Sequence, residues 1–184
     1  MDSKKVRTFM ELAGQAHGKE WQIADENTRK LGAQLLLSET LEYVIKGLGI
    51  IPEFNGQKIT CPNSLNYHSN GNGPDKEEIL DGLCDVAYTM YWNSEALGLP
   101  LEDAFDTICD NNLEKFVKLK DWGNGAGPVE SNNWHLNCKV TWPSEVSTVE
   151  VIKIENDYFA VGKDERGKVR KPSSFSPVDL SSYL

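Results

Sequence analysis

The chain has 184 residues, 39% of them hydrophobic, enough for one ordinary core, and it contains no run of about 18 apolar residues that would cross a membrane. Nineteen Lys and Arg against 28 Asp and Glu leave a formal charge of −9, a field that repels polyanions and excludes sequence-independent nucleic-acid binding or a polybasic membrane patch as expectations. Four cysteines without a C-x-x-C, and His17, His68 and His135 without ligand spacing, exclude zinc and a disulfide framework.

The N-terminal MDSKKVRTFMELAGQ is charged and amphipathic and lacks the apolar core of a signal peptide, so the expectation is a cytosolic protein. Val6, Phe9, Met10 and Ala13 recur at three- and four-residue steps, which predicts a short helix from Lys4 to Ala13. A polar connector follows. Leu31, Leu35, Leu37, Leu41, Val44, Ile45 and Leu48 predict a long helix from Thr28 to Leu48 with a wide apolar stripe. Residues 51 to 74 are rich in Gly, Pro and Asn and read as a loop, with a tight turn at Asn55-Gly56. Asp75, with Glu78 three residues on, marks the start of a third helix that Gly98 ends, and Pro100 opens a fourth with Phe105, Ile108, Cys109, Leu113 and Phe116 inside. Cys84 and Cys109 read as small buried hydrophobes. After residue 120, GNGAGPVESNN reads as a linker. VSTVEVIKIE and DYFAVGK predict a hairpin about Glu155-Asn156-Asp157, and the proline-containing tail an extended strap.

The fold expected is therefore mainly α. It is a four-helix bundle over residues 1–120, with 121–184 supplying a linker, a small β-hairpin appendage and a C-terminal strap packed on the same domain.

Two helices each carry a carboxylate pair. Glu39 and Glu42 are separated by about 60° around the helix axis, and Asp81 and Asp85 by about 40°, with Glu78 on the same side. Carboxylates on helices are ordinarily solvated. LLLSETLEYVI and ILDGLCDVAYTMYW, however, offer little polar surface to hold them, and Glu78 is also explained by its place in a helix cap. Converging carboxylates repel and raise one another's pKa unless a cation lies between them, and hard oxygen ligands suit Mg²⁺ or Mn²⁺.

LLLSETLEYV together with DGLCDVAYTMYWNSEALGLPLEDAFDTICDNNLEKF resembles the MazG-like all-α nucleoside triphosphate pyrophosphohydrolases, the group of phosphoribosyl-ATP pyrophosphohydrolase and the dimeric dUTPases and dCTPases. The resemblance covers roughly residues 6–118 and 157–180 and leaves 120–156 as an insertion. It implies that Glu39 and Glu42 are the E-x-x-E pair and that the second acidic set comes from Glu78, Asp81 and Asp85. All five would be metal ligands, with Glu39, Glu42, Asp81 and Asp85 catalytic. Two departures stand out: Ser38 occupies a position where many members carry Glu, and Gly82 falls three residues before Asp85.

What the resemblance implies is Mg²⁺-dependent hydrolysis of a nucleoside triphosphate, a dNTP above all, by metal-activated water attack on the α-phosphorus to give the monophosphate and pyrophosphate. Asn112 and Lys115 match its N-x-x-K segment. Gln15 is the amide candidate for reading a base, and Tyr88, with Trp21, Tyr91 and Trp92, the aromatic candidates for stacking. Lys171, with Lys168, could close on phosphates from the tail. Each has an ordinary alternative as core aromatic, helix-end cation or solvated lysine. Two other readings stay open: a non-catalytic nucleotide-sensing or partner-binding module, and a phosphoribosyl-ATP pyrophosphohydrolase. Broad apolar stripes in so short a chain, and the family, imply a homodimer or homotetramer.

Overall fold

The computed structural model describes residues 3–15, 18, 20–136 and 139–184. His17 and Cys138, counted in the sequence-based exclusion of zinc and disulfides, lie outside them. The chain divides into two compact units, Glu20–Pro74 and the combination of Met1–Lys19 with Asp75–Leu184.

In the unit Glu20–Pro74, helix α2 (Glu26–Glu42) begins at Asp25, whose carboxylate accepts from the Thr28 hydroxyl at 2.6 Å and from the Thr28 backbone N–H at 2.9 Å. These bonds favour the ionised form and hold the Asp25 carboxyl below its ordinary range. The helix runs into a π-helical turn, Tyr43–Gly47. Gly47 suits that turn because a Cβ there would stand only 3.3 Å from Tyr43 Cδ2. Strands β1 (Glu53–Phe54) and β2 (Gln57–Lys58) then pair antiparallel about Asn55 and Gly56, both with positive φ, the backbone that a two-residue hairpin turn requires.

In the other unit, α1 (Ser3–Leu12) and α4 (Leu101–Leu113) run side by side in the same direction. Lys5 bridges Asp106 and Asp110 at 2.7 Å each, and further along Phe9 meets Phe116 edge-to-face at 5.0 Å. Helix α3 (Lys76–Leu97) starts where Asp75 accepts from the N–H groups of Glu77 and Glu78, and ends at Gly98, whose φ of 66° is the left-handed stop expected of a C-terminal glycine.

The core of this unit is a sheet. Strands β3 (Val117–Leu119), β4 (Gly127–Val129), β5 (Thr148–Ile154) and β6 (Asp157–Lys163) assemble antiparallel in the order β3-β6-β5-β4. Alternation along the two long strands divides their side chains between two clusters. Val149, Val151 and Ala160 pack with Leu119, Leu136 and Val146 beneath Trp134 and Trp142. Val161, Ile152, Ile154 and Phe159 pack with Leu12, Ala13 and Phe116 from the helical pair. Val149 and Val161 are essentially inaccessible, each worth about 1.5–3 kcal/mol of burial. Trp142 lies so close to β6 that its ring occupies the place of a side chain at Gly162.

This corrects the expected fold class. The hairpin predicted as an appendage is the centre of a four-stranded sheet, so the chain is not a purely α bundle. The strands β3 and β4 are three residues each, too short to show a two-residue period. They exist because the free edges of the long hairpin offer them backbone partners far away in sequence. The tail meets α4 at two points: Asn111 Nδ2 donates to the Ser176 carbonyl at 2.8 Å, and the Thr107 and Tyr183 hydroxyls lie 2.7 Å apart. Among the described residues no helix is long and apolar enough to cross a membrane.

Candidate functional site

Helix α3 presents Glu78, Asp81, Asp85, Tyr88 and Trp92 at steps of three, four, three and four residues, which places them along one stripe. All five are exposed. The stripe is acidic over its first two turns and aromatic over the next two. Asp85 and Trp92 are separated by roughly 10 Å along the axis, from the rise per residue. Anionic and π-stacking chemistry therefore follow one another on a single rigid element. Tyr91 falls off the stripe and donates its hydroxyl to Glu102 at 3.1 Å, a bond that raises the phenol above its ordinary range.

On α2, Glu39 is exposed and Glu42 half-buried, and the π-helical turn begins at the next residue. Such turns recur at functional sites because the extra backbone residue re-aims side chains around them. Lys46 ion-pairs with Glu42 at 2.5 Å, and this pairing, with Glu39 and Cys61 adding to it, holds the ammonium above its ordinary range. Ser38 is buried and donates to the Leu35 carbonyl at 3.3 Å. A glutamate at that position would be carried into the covered side of the helix, which is a structural reason for its absence here.

Among the described residues, no three His, Cys, Asp or Glu side chains within either unit gather into a metal-holding group. What α2 and α3 each supply is a pair of carboxylates. That donor set fits Mg²⁺, which is commonly held by one or two carboxylates while retaining water and phosphate ligands.

The remaining candidates fall in three places. Asn112 and Lys115 bond to one another at 2.6 Å at the C-terminal end of α4, where Lys115 also lies 5.7 Å from the centre of the Phe9 ring. Gln15 follows α1 at the same end of the helical pair. Lys171 sits over the Phe175 ring at 4.8 Å within the strap. Lys168 donates its backbone N–H to Asp164, in the turn that Arg170 and Asp164 close with a 2.8 Å ion pair. Trp21 is exposed in the unit Glu20–Pro74. Cys84, expected to be buried, is exposed on α3, whereas Cys109 is buried as expected.

Sequence reasoning missed Lys46 as the partner of Glu42, although the four-residue spacing was there to be read. It also missed two adjoining cavities, of about 260 and 680 Å³, that share Trp122, Asn124 and Leu136. Most of their walls come from the segment read as a linker and insertion, with Lys118 and Leu119 of β3 completing the larger one. Trp122 is fixed there by donating its indole N–H to the Gly125 carbonyl at 2.6 Å.

Compared with family models, curated proteins and solved structures, the chain matches none of them.

Proposed function

We propose that the protein is a Mg²⁺-dependent nucleoside triphosphate pyrophosphohydrolase of MazG-like type, acting on a (deoxy)nucleoside triphosphate. The observation that carries this reading is the α3 stripe, where Asp81 and Asp85 precede Tyr88 and Trp92 on one helical face. A nucleotide has the same order of chemistry, an anionic chain followed by a flat base. The Glu39–Glu42 pair at the start of the π-helical turn supports it as the second acidic element. Carboxylates alone would repel a triphosphate; Mg²⁺ held by them supplies the opposite charge and Lewis acidity that hydrolysis requires.

In this reading Asp81 and Asp85, with Glu78 as a further ligand, would hold a cation on α3, and Glu39 and Glu42 would be the cation ligands on α2. Tyr88 and Trp92 offer their rings to the base. Lys115, kept in place by Asn112, is a cation for phosphate oxygens. Water would add its oxygen to the α-phosphorus and release a proton to solvent as the bond from that phosphorus to the bridging oxygen breaks, so that pyrophosphate and the nucleoside monophosphate leave.

The test is incubation of the purified chain with each ribo- and deoxyribonucleoside triphosphate and Mg²⁺, with separate measurement of pyrophosphate and orthophosphate. Pyrophosphate with a stoichiometric monophosphate is the expected result; turnover of none of them overturns the proposal. One observation favours a second reading, a non-catalytic nucleotide-sensing module: Lys46 already neutralises Glu42. That reading expects Mg²⁺-dependent nucleotide binding without turnover.

A further inference from the structure

The two adjoining cavities about Trp122 share no residue with the proposed nucleotide site. Both are built within one unit of the chain, largely by the link from β3 to β4, KDWGNGA. The larger, about 680 Å³, lies inside the range of roughly 300–1,000 Å³ in which small-molecule sites fall.

Three features separate this wall from an ordinary surface loop. Leu136, which lines both cavities, is buried yet holds a φ of 51°, a left-handed backbone that a bulky side chain rarely adopts and that clusters at ligand sites. Gly123 lines the larger cavity although neither crowding nor a positive φ demands a glycine: among the described residues, a Cβ there would meet nothing within 4 Å. Its missing side chain keeps space open beside the backbone, as glycine does where a ligand approaches closely. Trp122 stands where the cavities join. Its indole N–H is already given to the Gly125 carbonyl, so what it offers a ligand is ring surface.

The chemistry of the wall selects the ligand. Lys118 and Lys120 stand against Asp121 and Glu130, and Lys118 is ion-paired with Asp157 at 2.6 Å, so no net positive charge awaits a phosphate or a carboxylate. The polar groups are mixed in kind: Lys120 donates, Asp121 and Glu130 accept, and Asn124 and Asn133 do both. Among the described residues none of these five side chains is taken up by a hydrogen bond or an ion pair, so each is available to a ligand. An apolar occupant would strip water from these groups and leave them unsatisfied. A neutral polyhydroxylated ring satisfies them, because its hydroxyls both donate and accept while its C–H face packs on an indole ring.

We infer that these cavities bind a short neutral saccharide, one sugar ring lying against Trp122 with its hydroxyls bonded by Lys120, Asp121 and Asn124, and the remainder reaching toward Glu130 and Asn133. The site stands on its own cavities and side chains and does not depend on the enzymatic reading.

The experiment is saturation-transfer difference NMR on the full chain in EDTA, with neutral hexoses, N-acetylhexosamines and their disaccharides as probes, beside glucose 6-phosphate and a nucleoside monophosphate. The proteins are the wild type, Gly123→Leu, which fills the open space, and Asn124→Ala/Asn133→Ala, which removes two exposed amides without touching the backbone. Expected is saturable transfer to the C–H protons of a neutral sugar in the millimolar range or tighter, abolished in Gly123→Leu. In the asparagine variant it should weaken by at least about tenfold, the cost of one good hydrogen bond, with an unchanged melting temperature. Methyl glycosides run in parallel: retained binding assigns a sugar linked in a chain, lost binding a free one, both within the inference. Saturable transfer to none of the neutral sugars overturns it. So does binding that both variants leave intact, or a preference for the phosphorylated probes over the neutral ones. EDTA withholds the metal that hydrolysis requires, so failure here leaves the hydrolase proposal and its Mg²⁺-dependent test untouched.

Discussion

Lys46 Nζ lies 2.5 Å from Glu42 Oε1, so a cation from the protein itself occupies one member of the carboxylate pair proposed to hold a metal. The pair sits across the junction between α2 and its π-helical turn, and Lys46 is held above its ordinary pKa of 10.5 chiefly by the hydrogen bond to Glu42. A raised lysine pKa means that the stability the pair contributes is fully present below 10.5 and is lost as the pH rises through the higher folded value. The difference in thermal stability between wild type and Lys46→Met should be constant between about pH 7 and 9, where the lysine stays charged, and should close as the pH passes above its ordinary value. Thermal melts across that range check it. If Lys46 competes with metal, the same variant should show a larger Mg²⁺-induced rise in melting temperature than wild type.

Glu39→Gln and Asp85→Asn remove one carboxylate from each proposed acidic pair. Both residues are exposed, so without metal the changes should be neutral or slightly stabilising, by less than about 0.5 kcal/mol. With Mg²⁺ at a hundredfold excess over its Kd, bound metal is worth about 2.7 kcal/mol, and either change should abolish most of that gain and any release of pyrophosphate. Melting curves with and without Mg²⁺ decide; an undiminished Mg²⁺ effect in both variants removes these residues from the metal site.

Gly162→Ala places a methyl group where the Trp142 ring already is, well inside van der Waals contact. Trp142 is itself anchored by donating its indole N–H to the Trp134 carbonyl at 3.1 Å, so the ring cannot swing away without breaking that bond. The expected cost is about 1–3 kcal/mol, with a shift in tryptophan fluorescence, measured by urea denaturation.

Asp75→Ala deletes the carboxylate that accepts from the N–H groups of Glu77 and Glu78. The expected loss is about 1 kcal/mol, with faster hydrogen exchange confined to the first turn of α3. Asp75→Asn should recover most of it, because an amide oxygen accepts the same bonds. Equal exchange in all three proteins would show that the cap contributes nothing.

The start and stop of α3 and the tight turn before it were legible because they rest on local chemistry, whereas α2 starts at Glu26 rather than Thr28 and gives way to a π-helical turn after Glu42. Asp75 with its following N–H groups, Gly98 in the left-handed region and the Asn55-Gly56 turn each require only a few neighbouring residues. The hairpin Thr148–Ile154 with Asp157–Lys163 was legible for the same reason, its alternation being internal to each strand. The sheet it nucleates was not. Val117–Leu119 and Gly127–Val129 carry no period of their own, and become strands only because β6 and β5 present unpaired edges to them.

The candidate site divides in the same way. That Glu78, Asp81, Asp85, Tyr88 and Trp92 share a face of one helix follows from the 3.6-residue turn, and the sequence by itself determined it, as it did the spacing of Glu39 and Glu42. The exposure of Cys84, the burial of Ser38 and the stacking of Lys171 on Phe175 were decided only by the tertiary structure. Periodicity states which residues point together. It cannot state whether anything stands opposite them, because burial depends on segments far away in sequence that compete for the same apolar surface. Helix α3 shows this most plainly: Ile79, Leu83, Val86 and Met90 recur at helical spacing, yet in the folded chain they are exposed.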